Sequence, residues 1–305
     1  MPPLSFSPEI EAARRDRLPI VALESTIITH GMPWPQNYDM ARQVEADIRT
    51  AGAVPATIAV MGGRIQIGLT DAHLRDLAQA RDVMKLSRAD LAVALATGRI
   101  GATTVAATMI CAALAGIEVF ATGGIGGVHR GAETSFDISA DLQELAQTPV
   151  TVVAAGAKAI LDLPKTLEVL ETFGVPVIAF GQDALPAFWS RDSGLTAPLR
   201  LDHAHDIAAS HRMRRALGLP GGQLVANPIP QADEIPAATL APLIAQAIAE
   251  AEAQGIAAKS VTPFLLARIF ELTEGASLDA NLALVRNNAR LGAEIAIALA
   301  RPALA

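Results

Sequence analysis

Cysteine is almost absent from this chain of 305 residues, because Cys111 is the only one. A single cysteine excludes an intramolecular disulfide, and the apolar residues on both sides of Cys111 predict a small buried core side chain. A lone cysteine fits a reducing compartment. The first residues also lack the basic-then-apolar order of a signal peptide. We therefore expect a cytoplasmic protein.

An excess of positive charge is also lacking. The formal net charge is −7, and no basic tract occurs. Proteins that bind nucleic acid or anionic membranes usually carry such a tract, so we expect neither partner. The most membrane-like run, Thr104 to Ala121, is broken by Gly116 and Glu118 and predicts a buried helix followed by a strand. An anionic small substrate would need a local pocket.

Several enzyme signatures are missing as well. The sequence has no Gly-x-Ser-x-Gly elbow, no His-Glu-x-x-His and no Cys-x-x-Cys, which argues against serine hydrolases and zinc enzymes of those types. The segment Asp202-His203-Ala-His205-Asp206 resembles a metal site. Two histidines separated by one residue at a helix start more often belong to a solvated helix cap than to a metal site, and we interpret this segment as such a cap.

Hydrophobic residues are abundant, at 51% of the chain, which is ample for a sizeable core. Short β-rich runs alternate with longer runs of alanine and leucine, a pattern typical of an α/β protein with a largely parallel sheet. No internal repeat or flexible linker interrupts the pattern, so we expect one domain over residues 1–305, with 1–17 as a peripheral segment. Strands are predicted at Ile20–Leu23, Thr57–Val60, Ile65–Ile67, Val83–Leu86, Glu118–Ala121, Val150–Ala154, Val175–Phe180 and Leu224–Ala226. Helices are predicted at Tyr38–Ala51, Ala72–Gln79, Thr104–Ala115, Leu161–Phe173, Ala237–Gln254, Pro263–Leu272 and Leu278–Leu299.

Lysine is scarce, with four lysines against twenty arginines, and one of the four lies in an apolar run. Lys158 follows Thr151-Val-Val-Ala-Ala-Gly-Ala and precedes Ala-Ile-Leu161. An ammonium group loses hydration among such neighbours, which favours the neutral amine, and a neutral amine can attack a carbonyl carbon to form an imine. Lys158 is therefore a candidate nucleophile. The alternative is that its stem packs on apolar surface while its head reaches water.

Polar clusters follow several predicted strands, where ligands bind in α/β sheets. Glu24 follows the first strand and is a candidate proton donor, or else a turn cap. The glycine-rich loop, which we define as Thr122 to Gly131, carries His129 and Arg130 and indicates an anion cradle, or else a flexible turn. Its spacing matches neither the dinucleotide fingerprint nor a P-loop. Asp137-Ile-Ser139-Ala-Asp141 opens a predicted helix, where the acids would cap it, hold a divalent cation or move protons.

Five segments carry a further signal: Leu23 to Gly31, Gly52 to Val60, Phe120 to Gly131, Ala155 to Lys158 and Val225 to Ile229. Together they resemble pseudouridine-5'-phosphate glycosidase, a family also called indigoidine synthase A-like. The resemblance covers about Leu18 to Leu299. It implies a three-layer α/β/α fold with a central, largely parallel (mixed) sheet, a homotrimer, and one divalent metal per subunit, typically Mn²⁺. The implied reaction is the reversible cleavage of pseudouridine 5'-phosphate to uracil and ribose 5-phosphate, formally by a carbon–oxygen lyase.

The resemblance also implies roles for individual residues. Glu24 would be the acid or base that opens and closes the ribose ring, Lys158 would form the imine at C1', and Asp137 would bind manganese. Asp141 would also be a possible proton carrier near the base. The substrate would be lined by Lys85, Val105, Thr122, His129, Ser139, Ala140, Asp141 and Asn281. A C-glycoside has no leaving-group oxygen to protonate, so a lysine imine suits it better than the paired-carboxylate route of ordinary glycosidases. Two alternatives remain open: a lysine-imine aldolase or lyase acting on another phosphosugar, and an accessory protein of pigment biosynthesis.

Overall fold

The computed structural model describes residues 2–256 and 261–301, and within them strands and helices alternate along the chain. The strands are β1 Leu4–Phe6, β2 Ile20–Leu23, β3 Val54–Met61, β4 Arg64–Ile67, β5 Met84–Leu86, β6 Gly101–Thr103, β7 Val119–Ala121, β8 Thr151–Ala154, β9 Val177–Phe180, β10 Leu199–Leu201 and β11 Gln223–Ala226. The helices are α1 Pro8–Arg15, α2 Thr26–His30, α3 Gln36–Thr50, α4 Asp71–Gln79, α5 Arg88–Thr97, α6 Val105–Leu114, α7 Ala132–Ser135, α8 Ala140–Gln147, α9 Leu163–Thr172, α10 Ala204–Ala216, α11 Ala237–Ala253, α12 Val261–Leu272 and α13 Ala276–Ala300.

The strands form one mixed sheet in the order β1-β4-β3-β2-β7-β8-β11-β9-β10, with β6 joining β3 and β5 joining β6. The pairs from β3 through β2, β7, β8, β11 and β9 to β10 are all parallel, whereas β4 and β6 run antiparallel to β3. The carboxyl ends of β2, β7 and β8 therefore lie side by side at one edge of the sheet. This edge is where ligands bind in parallel sheets.

Helices cover both faces of the sheet and complete the three-layer α/β/α arrangement. On one face α13 contacts β2, β7 and β8 and lies between α3 and α10. On the other, α6 contacts the same region of the sheet and lies between α5 and α8. Every residue of β8 and β11 is buried, as expected for strands covered on both faces. Cys111 is fully buried in α6, which confirms the sequence prediction.

All eight predicted strands and all seven predicted helices are present, with boundaries shifted by a few residues. Gly62 and Gly63 have φ of 59° and 68° and form the predicted tight turn between β3 and β4. The strands β1, β6 and β10 were not predicted, and neither were the helices α1, α2, α5 and α7. The three missed strands have three residues each, which leaves little periodicity to read from the sequence.

The N-terminal segment adds β1 beside β4 at the end of the sheet and places Ile10 of α1 in the core at 0% exposure. The turn-rich stretch 181–198 packs tightly, since Phe188 and Trp189 are both buried, as predicted. His203 and His205 lie at the start of α10 with stacked rings 5.5 Å apart. Within the described ranges, no helix combines the length and apolar character needed to cross a membrane.

Candidate active site

A cavity of about 570 Å³ opens at the carboxyl edge of the sheet. Residues just beyond β2, β5, β6 and β8 line it, together with the glycine-rich loop and parts of α12 and α13. Nine of the eleven sequence-predicted site residues share this lining: Glu24, Lys85, Val105, His129, Asp137, Ser139, Asp141, Lys158 and Asn281. The parallel strands therefore bring together side chains that lie far apart in sequence.

Lys158 is positioned by the loop that follows β8. Its backbone N–H donates to the carbonyl of Ile125 at 3.1 Å, and its own carbonyl accepts the N–H of Leu161 at 3.0 Å. The preceding residues, from β8 through Ala157, are all buried, while Lys158 itself is partly exposed and lines the cavity. A lysine fixed at both backbone polar groups presents its amine to the cavity from a rigid support.

Glu24 follows β2 and faces the same cavity. Its carboxylate accepts hydrogen bonds from two hydroxyls, those of Thr26 and Thr122. Thr122 follows β7 and is itself 2% exposed, so it contacts Glu24 from behind rather than lining the cavity. Two donors on one carboxylate restrict its rotation and fix the direction in which it can exchange a proton.

Asp141 connects the glycine-rich loop to α6. One of its carboxylate oxygens accepts the N–H of Ala106 at 2.9 Å, and the other accepts the N–H of Gly126 at 2.8 Å. A Cβ on Gly126 would lie 2.2 Å from the Ser139 hydroxyl, so only glycine fits this contact. The geometry makes Asp141 a positioning residue, and its predicted part as a proton carrier stays a prediction.

Three helix N-termini meet at the cavity. Ser87, Thr104 and Ser139 precede α5, α6 and α8, and all three line it. Helix N-termini carry positive dipole ends, which favour an anion. At the N-terminus of α6 the Ala106 N–H is already bound to the Asp141 carboxylate. Lys85 adds a cationic side chain on the same side. Arg130, expected in the anion cradle, is exposed and does not line the cavity.

Burial favours the neutral form of two histidines in the cavity. Burial lowers the pKa of His129 below its usual range; the charge of Asp137 opposes this shift, and the charges of Lys158 and Lys85 add to it. Burial also lowers the pKa of His30, and the charge of Lys85 lowers it further. Neutral imidazoles can accept or donate a hydrogen bond to a polar substrate without adding charge.

The donor set around Asp137 limits the kind of metal that the site could hold. Among residues 2–256 and 261–301, no three His, Cys, Asp or Glu side chains cluster as a metal-binding group. Asp137 lines the cavity, as do Glu24 and Asp141, whose carboxylate oxygens already accept protein hydrogen bonds. A hard divalent cation such as Mg²⁺ or Mn²⁺ is often held by one or two carboxylates while water and substrate oxygens complete its coordination. The residues present therefore fit a cation that is bound jointly with substrate.

The far wall of the cavity comes from the C-terminal helices. Asn281 of α13 faces it, and its side-chain oxygen accepts the indole N–H of Trp189 at 2.8 Å. Because an indole N–H only donates, this bond orients the amide so that its NH₂ group is left for a ligand. Ala140, by contrast, is exposed at the start of α8 and does not line the cavity.

Sequence reasoning did not assign a site role to several lining residues. They include Thr26, His30, Ser87, Thr104, Phe188 and the face of α12 that carries Leu266 and Phe270. Ser87 and Thr104 follow strand ends and cap helices, which is a signal that a sequence can carry. The wall formed by α12 has no such local signal, because its position depends on packing against α11 and α13.

Together the fold and this cavity define an α/β protein in which an amine, that of Lys158, and a carboxylate, that of Glu24, line one cavity at the carboxyl edge of a largely parallel sheet. The chain belongs to the indigoidine synthase A like family, whose model matches residues 9–298.

Relatives match nearly the whole chain. A pseudouridine-5'-phosphate glycosidase from Paracoccus denitrificans is 76% identical over 98% of this chain and 100% of the relative. One from Jannaschia sp. is 74% identical over 97% and 98%. Among solved structures, a prealnumycin C-glycosynthase in complex with ribulose 5-phosphate superimposes with a TM-score of 0.90 at 40% identity, covering 97% of both chains.

Proposed function

We propose that this protein reversibly cleaves the C–C glycosidic bond of pseudouridine 5'-phosphate, releasing uracil and ribose 5-phosphate. The observation that carries the proposal is the convergence of Lys158, Glu24 and three helix N-termini on one cavity. Relatives at 74% and 76% identity are named for this activity. The solved C-glycosynthase was crystallised with a pentulose phosphate, a ligand of the same size and charge as the proposed product.

In the proposed reaction Glu24 gives a proton to the ribose ring oxygen as the C1'–O bond breaks, and the Lys158 amine bonds to C1'. The nitrogen, positively charged after it bonds to C1', gives a proton to the Glu24 carboxylate; its freed lone pair then forms the imine while the C1'–C5 bond breaks, and C5 of the base takes up a proton to give uracil. Water hydrolyses the imine, which returns the amine and releases ribose 5-phosphate. The positions of Glu24 and Lys158 in one cavity support this division of roles.

The 5'-phosphate is proposed to lie at the N-termini of α5, α6 and α8 beside Lys85. A divalent cation, Mn²⁺ in the proposal, would be held by Asp137 and would supply charge for orienting the substrate. Asn281 is proposed to donate its amide N–H to a carbonyl oxygen of the base. These placements follow from the chemistry of each group on the cavity wall.

The direct test of the function is incubation with pseudouridine 5'-phosphate and Mn²⁺, with uracil followed by chromatography. We expect uracil and ribose 5-phosphate in equal amounts. In the reverse direction, uracil and ribose 5-phosphate should give pseudouridine 5'-phosphate. Absence of uracil would contradict the proposal. Imine trapping with other phosphosugars, but no uracil release, would favour the lysine-imine aldolase or lyase alternative. If the protein shows neither imine trapping nor turnover, an accessory role is favoured.

Removing the phosphate from the substrate should lower kcat/KM by two orders of magnitude or more. Each charge-assisted hydrogen bond to the phosphate contributes roughly 1.5–3 kcal/mol, and unphosphorylated pseudouridine can make none of them. The measurement compares steady-state rates of uracil release from the two substrates. Equal kcat/KM for both would remove the helix N-termini as a phosphate site.

Asp137→Ala should weaken the dependence on Mn²⁺. The concentration of Mn²⁺ that gives half-maximal activity is expected to rise at least about tenfold, since the variant loses the only proposed protein ligand. Glu133→Ala, which removes an exposed carboxylate from the same segment, is the matched control and should leave the titration unchanged. An unaltered Mn²⁺ titration in Asp137→Ala would exclude Asp137 as a ligand.

We also propose that the protein assembles as a homotrimer. Several large apolar side chains are exposed, among them Phe136 at 81% and Trp34 at 45%, and burial between subunits would remove them from water. Light scattering should give about three times the mass of a 31.7 kDa chain. A monomer at micromolar concentration would contradict the assembly.

A further inference from the structure

Two buried asparagines lie at the start of the glycine-rich loop, outside the cavity lining. Asn288 of α13 is 0% exposed, and Asn227, which follows β11, is 4% exposed. The Asn288 side-chain NH₂ donates to the carbonyl of Thr122 at 2.8 Å and to that of Gly123 at 3.4 Å. Its side-chain oxygen accepts the NH₂ of Asn227 at 3.0 Å. Neither asparagine lines the cavity.

The orientation of the Asn288 amide is fixed by its partners. Backbone carbonyls only accept, so the NH₂ group must face Thr122, and the oxygen must face the donor on Asn227. Asn227 is itself tied to the sheet, because its backbone N–H donates to the carbonyl of Ala154 at 2.8 Å. Asn288 therefore joins α13, the end of β8 and the start of the glycine-rich loop.

Close packing of α13 makes this reach possible. Gly292 lies one turn beyond Asn288, and a Cβ there would stand 3.2 Å from the Cβ of Ala121 on β7. The missing side chain lets the helix approach the strand that ends at Thr122. At that distance the short side chain of Asn288 spans the gap to the Thr122 carbonyl.

The hydroxyl of Thr122, whose carbonyl Asn288 holds, donates to the Glu24 carboxylate. We propose that Asn288, supported by Asn227, is a positioning residue that fixes Thr122 and through it the carboxylate of Glu24. The catalytic half of this inference rests on the proposed function of Glu24. The structural half, that Asn288 orders the start of the glycine-rich loop, does not.

The chain offers a matched control on the same helix. Asn287 is partly buried, and its NH₂ donates to the carbonyl of Pro228 at 3.1 Å. Asn287→Ala removes one asparagine-to-carbonyl bond from α13 without touching Thr122. Asn227→Ala should have a smaller effect than Asn288→Ala, because Asn288 keeps both of its donor bonds and loses only the hydrogen bond to its side-chain oxygen. If Asn288→Ala fails to fold, the comparison of Asn227→Ala with Asn287→Ala tests the proposal instead.

Hydrogen exchange followed by mass spectrometry tests the structural half without any need for activity. The Thr122 and Ile125 amides donate to the carbonyls of Val153 and Gly156. In Asn288→Ala these amides should exchange about tenfold faster or more, and in Asn227→Ala they should shift in the same direction by less. Asn287→Ala should leave them unchanged. Equal exchange in the Asn288 and Asn287 variants would overturn the inference.

Kinetics tests the catalytic half. Asn288→Ala should lower kcat for pseudouridine 5'-phosphate by about 10- to 100-fold with KM little changed, because a misplaced group costs rate more than binding. In a Thr122→Val background the same change should lower kcat no further, since the residue through which it acts has lost its hydroxyl. Additive losses would overturn this half. If the unaltered protein releases no uracil, the proposed function fails, while the exchange result still decides the positioning.

Discussion

Replacement of Lys158 with alanine is expected to abolish both uracil release and imine trapping. Loss of the nucleophile in covalent catalysis lowers kcat on the order of 10⁴-fold or more. In the unaltered protein, borohydride added with ribose 5-phosphate should reduce the imine to a stable amine and leave one sugar phosphate on Lys158. A modified lysine resists trypsin, so the adduct should appear on a peptide that continues through Lys158 to Lys165.

Lys165 provides the internal control for this experiment. It lies on α9, seven residues beyond Lys158, and forms ion pairs with Glu133 at 2.8 Å and Asp162 at 3.0 Å. Its hydrogen bond to Glu133, together with Asp162, raises the pKa of the Lys165 amine above its usual range, which keeps it cationic and a poor nucleophile. Lys165→Ala should retain turnover. An adduct on Lys165, or full activity in Lys158→Ala, would show that the imine is assigned to the wrong residue.

Glu24→Gln is expected to give the second-largest loss, with kcat reduced by about 10²–10⁴-fold, the usual contribution of a general acid or base. The amide keeps the size of the carboxylate but cannot deliver a proton to the ring oxygen. Borohydride trapping with ribose 5-phosphate separates the role of Glu24 in ring opening from that of Lys158 in imine formation. Ribose 5-phosphate reaches its open aldehyde form in solution, so Glu24→Gln should still form the borohydride-stable adduct on Lys158.

A second buried carboxylate serves as the control for Glu24. Glu45 of α3 is 6% exposed and accepts the hydroxyl of Thr57 at 2.7 Å, yet it does not line the cavity. Glu45→Gln should leave kcat within about twofold, because it alters no group near the reacting atoms. Thermal melting of both variants would check the fold. If Glu24→Gln keeps full activity, another residue must open the ribose ring.

The sequence alone predicted the α/β architecture and the positions of the candidate site residues along the chain. Alternating β-rich and alanine-rich runs predict most of the long elements, because the periodicity of buried residues is a local property; no bounds were predicted for the helices α5 and α10. Glu24, Lys158 and the glycine-rich loop were each read from residues within a few positions of a strand end. The family resemblance added roles for Lys85 and Asn281 that their short local motifs do not carry, and it chose manganese binding among the alternatives that the sequence left open for Asp137.

The tertiary structure decided which of these groups meet. Glu24 and Asn281 line one cavity although most of the chain lies between them, because parallel strands end at a common edge and α13 returns across the sheet. The same packing leaves Arg130 and Ala140 outside the cavity. It also places Asp141 so that both of its carboxylate oxygens accept hydrogen bonds from backbone N–H groups. The burial of Asn288 against Thr122 likewise depends on the approach of α13. Spacing along a chain specifies local structure, whereas hydrogen-bond partners between distant segments are set by how helices and strands pack.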